Sequence, residues 1–279
     1  MKLQQSKVKM NKLVSDSLTQ SQLGSINTLI DQVGKRQISD FGNLSTQTKP
    51  DGSLITSCDL WSDQTIVNEI SKVTNGEGVL SEEGSKEIPE SDAYWVVDPL
   101  DGTTNFAAGI PYWAISIARY VNGVPQTAFL DIPPLKKRII AIRGKGVWVN
   151  GRPIDFRQRQ KLHSSCISLC SRSIRILQRK PDQPFPGKIR LLGVASLNMV
   201  SVGIGQTTAA LEATPKIWDL SSAWLVLSEL KCPIKWLERD PSLLKKGEQL
   251  NNANFPVLVA NSAEELERLL PWAEALTHE

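Results

Sequence analysis

A chain of 279 residues with 41% hydrophobic and 22% charged residues can bury a core as one large domain or two joined halves, which excludes disorder and a fibrous class. Its net charge of +3 is too small to argue for nucleic acid as a main partner, and no apolar run nears the roughly 20 residues of a membrane helix. Four cysteines without CxxC spacing and only two histidines, His163 and His278, argue against zinc and fit a reducing, cytoplasmic setting.

Residues 1–20 lack the apolar core of a signal peptide and read as a mobile N-terminal tail, or as a helix formed only in an oligomer. Ile66, Val67, Ile70 and Val73 recur at helical spacing and predict an amphipathic helix from about Leu60 to Lys72 with Asp59 at its start. Asn75-Gly76 and Gly78 break the chain, and Tyr94-Trp95-Val96-Val97 reads as a short buried strand ending in Asp98. Trp113, Ile115 and Ile117 alternate, Asn122-Gly123 marks a hairpin turn, and a returning strand reaches about Leu130. Strands near Arg138 to Arg143 and Val147 to Asn150 complete an antiparallel, curved N-terminal half, residues 21–155.

From residue 156 to 279 strand and helix alternate. Ile189 to Leu192 reads as strand, Ser196 to Gly203 as helix, and Ala209 to Glu212 as strand. Asp219 opens a long apolar helix through about Leu230, and Phe255 to Ala260 is a buried strand. Ser262 with Glu265 reads as a capping box for the last helix. The whole is a layered α/β (α+β) architecture.

Charge is unevenly placed. Glu77, Glu82, Glu83, Glu87, Glu90, Asp92, Asp98 and Asp101 stand against Lys86 alone, a segment able to concentrate cations. Fifteen Lys or Arg lie between Lys136 and Arg190, enough to steer an anion or to form a solvated face.

The chemistry concentrates at Asp98-Pro99-Leu100-Asp101-Gly102-Thr103. Magnesium prefers a few carboxylates with waters and phosphate oxygens, and Pro99 between the two acids forces a turn that aims both into one space. Gly102 permits close backbone approach, and Thr103-Thr104 are placed to cap a helix whose free amides hold phosphate. An Asp-x-x-Asp pair alone is common on solvated loops, so the surrounding blocks decide. The motif resembles the Asp-Pro-(Ile or Leu)-Asp-Gly-Thr sequence of the inositol monophosphatase family, the lithium-sensitive magnesium phosphatases, and the likeness runs on through Asn105-Phe106 and Gly109 to Pro111. Lys49-Pro50-Asp51-Gly52-Ser53-Leu54-Ile55-Thr56 with Asp59 resembles the family's early segment. Ser81-Glu82-Glu83-Gly84 resembles its Gly-Glu-Glu motif with Ser for the first Gly, and Trp218-Asp219 its late Trp-Asp motif. The four blocks stand in the family's order between residues 45 and 270.

The resemblance implies an alternating α-β-α-β-α sandwich of the inositol monophosphatase or sugar phosphatase type, and a homodimer. Carried over by position, it implies that Glu82, Asp98 and the carbonyl of Leu100 hold one Mg2+. Asp98, Asp101 and Asp219 hold a second, with room for a weaker third ion near Glu82. Glu82 and Thr103 orient the attacking water, Asp59 hydrogen-bonds Thr103, and no phosphoenzyme forms. Asp101, Gly102, Thr103, Gly193, Val194, Ala195 and Glu212 match substrate-binding positions. Simpler roles stay open: Asp59 as a helix cap, Glu83 as an orienting neighbour, Lys49 as a phosphate or acid contact or an exposed side chain, Trp218 as packing, and Glu212 as the partner of a basic neighbour such as Lys216.

Thr208-Ala209-Ala210-Leu211 departs from the Asp and aromatic residues the family usually carries near that Glu. The Lys-Pro-Asp-Gly-Ser form of the early block is shared with histidinol-phosphate and adenosine-bisphosphate phosphatases. The reading is a phosphatase of a small phosphorylated metabolite, myo-inositol-1-phosphate first. Histidinol phosphate follows, then fructose-1,6-bisphosphate or adenosine-3',5'-bisphosphate. A scaffold or RNA-associated protein using Lys136 to Arg190 is the non-enzyme alternative.

Overall fold

The computed structural model describes residues 17–43, 45–50, 52–155 and 165–276. Residues 1–16, Asp51, His163, His278 and the segment 156–164 at the expected boundary lie outside them. Within the span expected as tail, Thr19 accepts the amide of Gln22 while the Gln22 side chain takes the Thr19 amide at 2.9 Å. This capping box starts helix α1, Gln20–Asp40, because it satisfies amides that a helix start leaves unpaired. Ile26, Leu29, Ile30 and Val33 form its single buried stripe.

A short hairpin, β1 (Thr46–Thr48) and β2 (Leu54–Thr56), leads into α2, Ser57–Val73. The helix begins earlier than the expected Leu60, since Thr56 is its cap and accepts the amides of Cys58 and Asp59. Asp59 is thus the third helical residue, and its carboxylate returns to the Thr56 amide at 2.9 Å.

A seven-stranded sheet follows: β3 (Gly78–Ser81), β4 (Ala93–Asp101), β5 (Ala114–Val121), β6 (Val124–Ile132), β7 (Lys137–Ile142), β8 (Gly146–Val149) and β9 (Arg152–Pro153), paired in chain order. Only the β3–β4 pair is parallel. Asn122 and Gly123, with φ of 52° and 74°, make the positive-φ turn that matches strand twist. Strand alternation sends Trp95, Val97, Ile115, Ile117 and Phe129 to the face covered by α1 and α2. Tyr94, Val96, Ala118, Tyr120 and Leu130 go to the other.

The second sheet contains β10 (Cys166–Leu169), β11 (Lys188–Arg190), β12 (Ala209–Glu212), β13 (Ile234–Trp236) and β14 (Val257–Ala260), in the order β11-β10-β12-β14-β13. Helix α3 (Thr103–Ala107) follows β4 and the short α4 (Arg175–Arg179) follows β10. Two helices, α5 (Ala195–Gly203) and α6 (Ile217–Glu229), fill the space between the sheets and are buried nearly all round. Fully burying one Leu, Ile or Val there is worth about 1.5 to 3 kcal/mol. The last helix, α7 (Ala263–Ala273), lays Leu269, Trp272 and Ala273 on the outer face over Ile167, Leu169 and Leu211. The layers alternate helix, sheet, helix, sheet, helix, as expected. Only half of the expected capping box is made: Ser262 accepts the Glu265 amide at 3.2 Å, while the Glu265 carboxylate turns to Arg268 and Thr208.

Candidate active site

The expected strand does not stop at Asp98. It continues to Asp101, with Asp98 opposite Ser116 and Asp101 opposite Ala114 on β5. Three steps on one strand face two on the other, which is a β-bulge. Pro99 has no amide to give to the ladder, so the bulge forms there, and the expected turn is a bend within a strand. The Leu100 amide donates to Asp98 Oδ1 at 3.0 Å. Gly102 then takes φ of 105°, and a Cβ at this position would stand 2.8 Å from Val194 Cγ2. Both constraints require glycine.

Gly102, rather than a threonine, caps α3. The Thr103 hydroxyl is drawn away by a stronger acceptor and donates to Asp59 Oδ1 at 2.7 Å, with the Leu100 carbonyl at 3.2 Å as its alternative. Asp59 Oδ2 meanwhile accepts from the amide and hydroxyl of Thr56. The two oxygens of one carboxylate thus join the cap of α2 to the acidic loop, and Asp59 has both proposed contacts.

Asp219 arrives from α6, where it is the third residue and accepts the Lys216 amide at 2.8 Å. Ser116, the register partner of Asp98, clips that helix start: its Oγ lies 2.6 Å from Ser222 Oγ and donates to the Trp218 carbonyl at 3.3 Å. Asp101 Oδ2 accepts the Ser196 amide at the start of α5, 2.8 Å away. Both carboxylates sit at helix N-termini, where the helix dipole favours negative charge. Oxygens of Asp98, Asp101 and Asp219 lie within 4.8 Å of one another.

This clustering is electrostatically costly for the protein alone. Asp98 is 1% exposed and its Oδ2 has no hydrogen-bond partner among the described residues. Burial, then the charges of Glu82, Asp101 and Asp219, hold its carboxyl well above the usual range. Burial and the charges of Asp101 and Glu82 do the same to Asp219. Asp101 is pushed up to about 6 by burial, against hydrogen bonds from Ser196. A hard divalent cation would remove this repulsion and satisfy the orphaned oxygen, and an all-oxygen donor set suits magnesium better than zinc.

The Glu82 amide donates to the Val97 carbonyl at 3.1 Å, which sets it beside Asp98. Its carboxylate turns to Lys49, whose Nζ lies 2.9 Å from Glu82 and 2.5 Å from Glu83. Burial opposes the Lys49 charge, but Glu82 and Glu83 outweigh it and hold the ammonium protonated. Burial and Glu82 push Glu83 up to about 7. Lys49 is therefore an acid contact, and Glu83 the neighbour that anchors it.

Two cavities meet at Asp219, Arg172 and Thr214. One, of about 330 Å³, is lined by Lys49, Glu82, Lys86, Lys216, Trp218 and their neighbours. The other, of about 170 Å³, is lined by Asp101, Gly193, Val194, Ala195 and Glu212 with Asn198 and Cys170. Glu212 pairs with Asn198 Nδ2 at 2.8 Å and not with Lys216. Burial pushes it up to about 8, against the hydrogen bond from Asn198. Gly193, with φ of 75°, lies against Asn105, whose Nδ2 donates to the carbonyls of Tyr112 and Leu192 at 2.9 and 2.8 Å. Sequence reasoning passed over Ser116, Asn198, Cys170 and Arg172. None sits in a motif block, and the contacts of Ser116 with Trp218, Arg172 with Thr214 and Cys170 with the Ala213 amide span long stretches of chain.

Part of the uneven charge is taken up by contacts within the chain. Glu77 pairs with Arg119, Asp92 with Lys246, and Arg138 with Asp131 and Asp31. Arg143 donates to the Pro125 carbonyl, and Arg175 and Arg179 to the carbonyls of Leu276 and Ala275.

Comparison with known proteins agrees with this geometry. The model of the inositol monophosphatase family matches residues 15–270. The fructose-1,6-bisphosphatase/inositol-1-monophosphatase of Thermotoga maritima is 28% identical over 209 residues, 72% of this chain and 79% of the relative. The histidinol-phosphatase of Mycobacterium tuberculosis is 29% identical over 204 residues, 67% of this chain and 75% of the relative. The crystal structure of the extragenic suppressor protein suhB from Bartonella henselae superposes with a TM-score of 0.75 at 26% identity, covering 91% of this chain and 97% of that one. An IMPase/NADP phosphatase solved with Mg2+ and phosphate superposes at 0.69 with 26% identity, over 94% and 95%. With its motif blocks gathered round one carboxylate cluster and its length matched almost throughout, this chain belongs to the inositol monophosphatase family.

Proposed function

We propose that the protein is a magnesium-dependent phosphomonoester hydrolase acting on a small phosphorylated polyol, with myo-inositol-1-phosphate as the simplest substrate that fits. One observation carries this reading: Asp98, Asp101 and Asp219 converge from a strand bulge and a helix start, with Asp98 Oδ2 buried and unsatisfied. Asp98, Asp101, Asp219, Glu82 and the Leu100 carbonyl are the groups that would hold the metal. When bound, magnesium supplies charge neutralisation at the phosphate and a lowered pKa for water.

The chain's own residues supply direction. Thr103 Oγ1 donates to Asp59 Oδ1, so its lone pairs are left to accept a hydrogen bond from a water. A proton leaving that water can pass to Thr103 Oγ1 as Thr103 gives its own to Asp59 Oδ1. Glu82 holds the water from its other side. Lys49 keeps the Glu82 carboxylate in place. The Gly193 to Ala195 wall and Glu212 meet the substrate hydroxyls, and no residue here serves as a phosphorylated nucleophile.

A phosphate-release screen tests the reading with inositol-1-phosphate, histidinol phosphate, fructose-1,6-bisphosphate and adenosine-3',5'-bisphosphate, with magnesium and with excess chelator. Release from at least one ester that disappears in chelator supports it; no release from any, or full activity in chelator, refutes it. The engagement of Arg138, Arg143, Arg175 and Arg179 in contacts within the chain favours this reading over an RNA-associated role. A homodimer is the proposed assembly, measurable by light scattering at micromolar concentration.

A further inference from the structure

The apolar stripe of α1 recurs at Ile26, Ile30 and Val33, and the next position of that spacing holds an amide, Gln37. Its side chain is fully buried, where an amide without partners is costly. Both of its ends are used. Nε2 donates to the Pro99 carbonyl at 2.8 Å and to Ser62 Oγ at 3.3 Å, while Oε1 accepts from Trp113 Nε1 at 3.0 Å. These partners fix which way the amide points, because an indole nitrogen only donates and a carbonyl only accepts.

The three partners stand on three elements: Ser62 on α2, Trp113 just before β5, and Pro99 in the bulge of β4. Pairing of β4 with β5 passes from Asp98–Ser116 to Asp101–Ala114 and gives neither Pro99 nor Leu100 a partner residue. Gln37 approaches this gap from the helix side. The C-terminal end of the same helix packs there too. The Phe41 amide donates to the Gln37 carbonyl at 2.9 Å, and the Phe41 ring lies 4.7 Å from Trp113 and 5.6 Å from Phe106. Leu100 is buried in that cluster.

An apolar residue at position 37 would continue the stripe, but it could not donate to the Pro99 carbonyl. That carbonyl and the Leu100 amide are two edges of one planar peptide unit. Gln37 holds the first edge, and the second donates to Asp98 Oδ1 at 3.0 Å. A rigid plane therefore joins the buried amide to the carboxylate whose Oδ2 has no partner. We propose that Gln37 is a positioning residue for the acidic bulge, setting the peptide plane that aims Asp98 and the Leu100 carbonyl at a bound cation. The proposal rests on the metal reading above.

Manganous ion tests it without turnover, since like magnesium it suits carboxylate and carbonyl oxygens and its free form is counted by electron paramagnetic resonance. It is titrated into the full-length metal-free protein, into Asp98→Asn to show which ions the cluster holds, and into Gln37→Met. Val33→Ala, which loosens the same helix one turn away and leaves the amide intact, is the control. Gln37→Leu replaces a Gln37→Met that fails to fold. The expected result is that Gln37→Met holds the Asp98-dependent ions about tenfold or more weakly, the usual size when a group that orients a metal ligand is lost. Val33→Ala should bind as the wild type does, whatever its fall in Tm. Unchanged affinity in Gln37→Met, or an equal loss in Val33→Ala, overturns the positioning role and leaves the metal reading standing. A wild type without any Asp98-dependent ion overturns the metal reading itself, and the positioning role with it.

Discussion

Asp98→Asn should move stability and activity in opposite directions. In the metal-free protein the Asp98 carboxyl is raised well above its usual range by burial and by the neighbouring charges of Glu82, Asp101 and Asp219. With a folded pKa above the unfolded value of about 3.9, the folded state binds more protons, so stability falls as pH rises from about 4 through the folded pKa. Asparagine carries no charge to lose, and its amide can donate to the carboxylates within 4.8 Å. The variant should therefore be the more stable protein in chelator at about pH 8, by about 1 to 3 kcal/mol, the usual cost of one unsatisfied buried polar group. For a chain of this size that is a few degrees in Tm, shrinking towards about pH 4. Turnover goes the other way. The cluster loses the charge at its centre, and several kcal/mol of transition-state stabilisation, roughly a thousandfold in rate, should go with it. Calorimetric melts across that pH range in chelator and phosphate release at saturating magnesium measure the two effects. A soluble variant that keeps more than about a tenth of wild-type activity, or that melts below the wild type at high pH in chelator, would refute the reasoning.

Activity should require magnesium, be inhibited by lithium at millimolar levels, and be suppressed by calcium, whose larger radius and looser geometry misplace the water; full activity in excess chelator contradicts this. Glu212→Gln should lower kcat/KM for inositol-1-phosphate by about ten- to a hundredfold while sparing an aryl phosphate. That loss should be largest at about pH 9, because the amide imitates the protonated acid below the value of about 8 to which burial pushes Glu212. Equal changes for both substrates would remove the recognition role. Thr103→Val should leave Asp59 Oδ1 without its buried donor and cost about 1 to 3 kcal/mol in a urea melt. Turnover should fall with it, and unchanged turnover would show that the Thr103 hydroxyl takes no part.

The sequence was most readable where a local physical signal was strong. The uninterrupted apolar run of Tyr94 to Val97 announces a strand buried on both faces, and Asn122-Gly123 announces its turn. Helix α1 gives no comparable signal, because Ile26, Leu29, Ile30 and Val33 form a narrow stripe in a polar sequence. Only the Thr19–Gln22 box marks its start. Strand β10 is four residues long and lies beside a charged stretch, so nothing local distinguishes it from a loop. The bulge at Pro99 was legible as a break but not as one that keeps the strand pairing beyond it.

The site divides in the same way. Asp98 and Asp101 share a motif, so their proximity follows from spacing. Asp219 lies far along the chain, and only the family resemblance placed it with them. Among the contacts that tie its helix to the strand of Asp98 is Ser116, a small hydroxyl buried in the middle of β5 that looks like any strand residue until its partners Ser222 and Trp218 are known. Asn198 hides likewise on a helix buried on all sides, where periodicity names no face. The acids proposed to do the chemistry can be found in sequence because their residue types are costly to bury without a purpose. The neutral side chains that aim them cost little to bury, leave no such trace, and become visible only when the fold closes the distance between them.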